Sequence, residues 1–181
     1  MKSPVFRFVA AALFVLASVP SGVAQDGQPL ARYDYWDVHV LDGPDGRICI
    51  VASLPIESRP QTVTRNGQQV PIQRGEIMVV ITDWPADGVQ NEIQIRMGYP
   101  IDTDVTVTID GGPEFTLANI QDEIAWFRQG VEFQDDLLTD EMKRGRRMEV
   151  RATSTRGTDT FDVYSLVGIT AALARSAEEC S

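Results

Sequence analysis

Val105-Thr106-Val107-Thr108-Ile109-Asp110-Gly111-Gly112-Pro113-Glu114-Phe115-Thr116-Leu117 decides the fold class. Apolar residues at 105, 107 and 109 alternate with polar ones, the period of a strand with one buried face, and Gly111-Gly112 turns the chain before Phe115 and Leu117 resume the pattern. The stretch predicts an antiparallel hairpin, and similar signals surround it. Upstream, Tyr33 to Leu41 sets Trp36, Val38 and Val40 on one side. The turn-rich run Asp42-Gly43-Pro44-Asp45-Gly46 then leads into Arg47 to Ser53. That second strand carries Ile48, Ile50 and Ala52 on one face and Cys49 and Val51 on the other, so burial on both faces is expected. Thr62-Val63-Thr64 and Val70-Pro71-Ile72 flank Asn66-Gly67, the favoured dipeptide for a two-residue hairpin, with Pro71 confining its arm to a sheet edge.

Further strands are expected at Ile77 to Thr82, Glu92 to Met97, Met148 to Thr153 and Thr158 to Tyr164, with a short apolar run at Ile124 to Phe127. Asp83 to Gly88, holding Trp84-Pro85, reads as a loop. Asp135 to Arg144 predicts a helix, acidic early, basic late and stopped by Gly145. A final helix is expected after Ser165 as its cap, with Leu166, Ile169, Thr170, Leu173 and Ala177 on its packed face. These elements predict a mainly β protein: an antiparallel β-sandwich or partly rolled sheet with two short helices, the C-terminal one packed on the sheet.

Residues 1–24 read as a signal peptide: Lys2 and Arg7, an apolar run from Phe8 to Val19, and a small-residue exit ending at Ala24. Residues 25–32 read as a flexible lead and 33–181 as one β-rich domain. No later stretch is long and apolar enough to span a bilayer. The leader holds two of the 16 basic residues and none of the 26 acidic ones, so the balance beyond it is −12. Such a charge disfavours nucleic acid and anionic lipid as partners. The dense basic run Lys143-Arg144-Gly145-Arg146-Arg147 reads as helix C-terminal complementation continuing into a strand. Cys49 and Cys180, without a third cysteine to compete in an oxidising compartment, are expected to form one disulfide.

Chemistry is sparse. His39 is the sole histidine, which excludes an imidazole metal cage, and no Gly-x-Ser-x-Gly elbow accompanies it. Asp102, Asp104 and Asp110, or Asp42 and Asp45, lack the spacing of a calcium loop and read as solvated loop acids. No cofactor is expected. Arg156-Gly157-Thr158 reads as a turn between strands. Rigid aromatics outside the core are the better signal, since a binding surface needs anchors. Trp84 with Pro85, joined by Tyr99, is the expected partner-binding cluster, with Tyr33 and Tyr35 near it, whereas Trp36, Trp126 and Phe161 are assigned to the core.

Met97-Gly98-Tyr99-Pro100, Ala125-Trp126, Met142 with Gly145, and the closing order Arg156-Gly157-Thr158, Phe161-Asp162-Val163-Tyr164-Ser165-Leu166, Gly168 and Ala171-Ala172-Leu173 before Cys180 resemble the invasion-associated locus B family of alphaproteobacteria. The resemblance runs from Trp36 to Cys180. It implies an exported envelope protein, periplasmic or associated with the outer membrane, linked in some pathogens to host-cell entry, and it strengthens the pairing of Cys49 with Cys180. It carries no catalytic residues. The expectation is therefore a non-enzymatic protein that binds a protein or envelope component. The alternative is a periplasmic enzyme or inhibitor acting through a carboxylate cleft.

Overall fold

Strand alternation has the expected consequence: apolar stripes from two antiparallel sheets face each other and close a core between them. The computed structural model of the chain describes residues 28–127 and 133–180; the leader reading at 1–24 lies outside them. The larger sheet runs, in spatial order, β1 (Ala31–Tyr33), β2 (Trp36–Gly43), β3 (Gly46–Ser53), β7 (Met78–Trp84), β8 (Val89–Arg96), β12 (Ile124–Trp126) and β11 (Asn119–Gln121). The second runs β10 (Glu114–Leu117), β9 (Val105–Ile109), β13 (Arg147–Thr153), β14 (Asp159–Ser165) and β4 (Glu57–Arg59). A separate hairpin pairs β5 (Thr62–Arg65) with β6 (Gln68–Pro71) across Asn66-Gly67. Two helices, α1 (Gln134–Arg144) and α2 (Ile169–Glu179), complete the fold.

Register explains the core. Val38 faces Val51, Val51 faces Ile81 and Ile81 faces Ile93, which puts one buried row on the inner face of the larger sheet. On the other sheet Val107 lies opposite Val150, and Val150 opposite Asp162, so a carboxylate sits in the inward row among aliphatic neighbours. Trp36, fully buried, donates its indole N–H to Ser165 O at 3.0 Å and ties the two sheets together. The central hairpin is as predicted, with Glu114 to Leu117 folding back on Val105 to Thr108.

Several expectations change. β3 is buried on one face alone: Cys49, Val51 and Ser53 point inward, while Ile48, Ile50 and Ala52 are half-exposed because no layer covers the outer face there. The C-terminal helix starts at Ile169, not at a Ser165 cap. Ser165 is the last residue of β14, and a left-handed Gly168 begins the helix instead. Its buried face is Ile169, Ala172, Leu173 and Ser176, so Thr170 and Ala177 face outward. β4 and β11 are too short to carry a periodic signal and had no expectation.

Cys49 is bonded to Cys180, with the Cα atoms 6.1 Å apart, and pins the end of α2 against β3. A 131-residue separation makes this staple worth about 2–5 kcal/mol.

Candidate functional site

The chain between β6 and β7 crosses the segment after β8 at unusually close range. Gly75 N–H donates to Gly98 O at 2.8 Å. Gly98 has φ +69°, and a Cβ there would meet Gly75 backbone atoms at 2.8 Å, so no other residue fits. The crossing delivers Arg74 into the gap between the sheets. Its guanidinium donates to Met97 O at 3.0 and 2.7 Å and grips both Asp162 oxygens at 2.7 Å. The side chains are 8% and 0% exposed, a buried, bidentate ion pair that joins the end of one sheet to the inner face of the other.

Tyr99 lies on this pair, its ring centroid 5.0 Å from the Arg74 guanidinium, and its hydroxyl shares a 2.5 Å hydrogen bond with Thr160 Oγ1. Burial pushes the Tyr99 ionisation up, while the Thr160 bond and Arg74 pull the other way. Tyr164, one alternation beyond Asp162 on the same face, is fully buried with its oxygen lacking a hydrogen-bond partner among the described residues. Burial, reinforced by Asp162, keeps that phenol protonated at any physiological pH.

Above Tyr99 opens a groove of about 580 Å³ between the β5–β6 hairpin and the Ser154–Thr158 turn. Val63, Val70 and Ile72 form an apolar wall; Thr155 and Thr158 supply hydroxyls opposite. The turn is held by Ser154 N–H on Thr158 O and Gly157 N–H on Ser154 O, which bears out the reading of Arg156-Gly157-Thr158. Arg65 and Arg156 line the groove and also a neighbouring cleft of about 440 Å³. Both are exposed, and with Arg146 they are the cations without a carboxylate partner within salt-bridge distance among the described residues. The acid lining the groove is Glu123.

The expected aromatic cluster is not assembled. Tyr99 floors this groove, whereas Pro85 lines a different cavity, of about 570 Å³, beside Asp83, Leu173 and Cys180. Trp84 is not a loop residue but the end of β7, paired with Val89 across a bulge. It is half-buried and donates its indole N–H to Asp45 O at 3.2 Å, bracing the β2–β3 turn. Tyr33 packs against the core and Tyr35 is exposed. Phe161 and Trp126 are half-buried, not core. Phe161 points outward because it alternates with Thr160 and Asp162, and it is flanked by Arg151, Arg59 and Arg147 at 4.7, 5.6 and 5.9 Å. Arg59 is paired with Glu57, and Arg147 and Arg151 with Glu149.

His39 is a half-exposed strand residue opposite Ile50. Asp110 accepts the Arg146 and Arg147 backbone N–H groups at 2.9 and 3.0 Å, and Asp42 pairs with Arg47. No group of three metal-ligating side chains converges among the described residues. Lys143 and Arg144 lie in the last turn of α1 and Arg147 opens β13, as the basic run predicted, and the two helix cations also pair with Asp140 and Glu141.

Arg74 and Asp162 were not read as site residues. The available signal was Gly98-Tyr99: a glycine before an aromatic, at the end of a strand, marks a close backbone approach.

The fold is thus a two-sheet antiparallel β protein with a disulfide-stapled terminal helix and an arginine-rimmed groove on one side. No protein-family model matches the chain. No curated protein matches it. Among solved structures it is similar to invasion associated protein B from Bartonella henselae, with 14% sequence identity and a TM-score of 0.49 over 82% of this chain and 96% of that one.

Proposed function

We propose that this chain is an exported, non-enzymatic envelope protein that binds a protein or other envelope component in the groove over Tyr99. The groove itself carries the reading. Its floor is immobilised by a buried ion pair, and its rim holds two arginines without a carboxylate partner among the described residues, in a chain whose acids outnumber its bases. A rigid floor lowers the ordering cost of binding, and unpaired guanidinium groups are held ready for an external acceptor. Export is supported by the leader-like residues 1–24 and by the disulfide, which persists in oxidising compartments. No helix of the described residues is long and apolar enough to cross a membrane. A contribution to host-cell entry rests on the resemblance in the closing segment alone. The catalytic alternative needs a second free carboxylate facing Glu123; Asp162, behind the floor, is committed to Arg74.

The test is a photo-crosslinking amino acid at Gln73, an exposed groove residue, in living bacteria with and without host cells. Discrete adducts that disappear with Arg156→Glu are expected. Adducts unchanged by that substitution, or none at all, would remove the groove from the account.

A further inference from the structure

Resting on that reading, we infer that the groove takes an extended peptide segment in which carboxylate side chains alternate with apolar ones. Three observations converge on this chemistry. First, the unpartnered arginines are not scattered: of Arg65, Arg146 and Arg156, two line the same groove and its neighbouring cleft. In a chain with 26 acidic and 16 basic residues, a surface arginine finds an internal carboxylate easily, as Arg32, Arg47, Arg59, Arg144 and Arg175 do. Two left open on the lining of one groove each offer a bidentate fork to an external carboxylate.

Second, the wall behind them is apolar, from Val63, Val70 and Ile72, with the Tyr99 ring as floor. A ligand of carboxylates alone would leave that wall wet; one of alternating character places acids on Arg65 and Arg156 and apolar side chains against the valines. Alternation is the period of an extended chain. The hairpin favours that conformation as well, since among the described residues β5 and β6 pair only with each other, which leaves each an edge for a further strand.

Third, the net charge of the whole chain limits the length of the ligand. Beyond about 8–10 Å the surrounding acids are screened from the rim, but a long polyanion would run out of the cationic patch and over them. Nucleic acid and sulfated polysaccharide are disfavoured on that ground, and a short run of carboxylates within a peptide is not.

Fluorescence anisotropy of the oxidised, leader-free protein tests this with three labelled hexapeptides that alternate valine with glutamate, glutamine or lysine. The glutamate peptide should bind, more weakly as salt rises, and the glutamine peptide should bind about tenfold or more weakly, the worth of one charge-assisted hydrogen bond. Arg65→Glu and Arg156→Glu should each weaken the glutamate peptide at least about tenfold with an unchanged thermal midpoint, while Arg146→Glu should leave it unaffected. Equal binding of the glutamate and glutamine peptides, an equal effect of Arg146→Glu, or no binding overturns the inference. If Gln73 adducts in cells persist under any of those outcomes, the ligand class is wrong and the groove stands; if they are also absent, the groove reading falls with it.

Discussion

Replacing Arg74 by methionine should be the most damaging single substitution away from the apolar core. Methionine fills the slot the arginine stem occupies but leaves Asp162, which is 0% exposed, without the two donors that meet it at 2.7 Å. It also strips both guanidinium bonds from Met97 O. An uncompensated buried charge of this kind costs about 3–5 kcal/mol, a large share of the roughly 5–15 kcal/mol that holds a domain together. At about 2–4 °C per kcal/mol for a chain of this size, the thermal midpoint should fall by about 6–20 °C. The control is Arg74→Met combined with Asp162→Leu. With the charge gone, what remains is chiefly the unpartnered Met97 carbonyl, about 1–3 kcal/mol. Urea unfolding of the four proteins with the disulfide intact gives the coupling directly. A single variant within about 1 kcal/mol of the parent, or a double variant whose loss is the sum of the two singles, would refute the assignment of Arg74 as the tie between the sheets.

Cys49→Ala with Cys180→Ala should lower the midpoint by about 4–20 °C, from the 2–5 kcal/mol expected of a long closed loop; a melt unchanged by the pair would show that α2 is held by packing alone. Asp135, in the first turn of α1, accepts the Ile93 N–H at 2.7 Å, yet burial, helped by Glu92 and Asp136, outweighs that bond and raises its pKa. Its folded value therefore lies above the unfolded one, near 4, so its stabilising contribution is complete below pH 4 and is lost as pH rises through the folded value. Asp135→Asn should accordingly melt higher than the parent at pH 7 and converge with it near pH 3, and a pH-independent difference would count against this. Trp84→Ala removes the indole brace on Asp45 and its half-buried ring, and should cost about 1–3 kcal/mol in urea unfolding; an unchanged midpoint would return Trp84 to the status of a free surface anchor.

The strands from Val105 to Leu117 and the Asn66-Gly67 hairpin were legible because alternation and turn chemistry are local signals. The helix at Gln134–Arg144 was legible for the same reason, with Leu138 and Met142 four apart and buried. Trp84 was misplaced because Trp84-Pro85 looks like loop sequence, and the bulge that keeps it in β7 is set by the partner strand beyond the turn. Phe161 was assigned inward on hydrophobicity, whereas parity decides. Thr160 and Asp162 are buried on the inner row, so Phe161 between them must face out whatever its character. The groove was half legible. Tyr99 was singled out as a binding aromatic and Arg156 only as part of a turn, and nothing local links either to Arg65 in the β5–β6 hairpin or to Arg74 just beyond it, which β7 and β8 separate from them in sequence.

That separation has a consequence for how the site can be probed. Arg74 and Gly98 serve the fold first, one as the tie between sheets and the other as the point where two backbones touch, and the groove inherits its floor from them. Substitutions there change stability and binding together, so a lost partner would say nothing about contact. Arg65 and Arg156 have the opposite character. They are exposed and carry no ion pair among the described residues, so their removal should leave the folded state within about 0.5 kcal/mol of the parent. A binding defect confined to those two positions therefore reports on recognition, and the same defect at Arg74 does not.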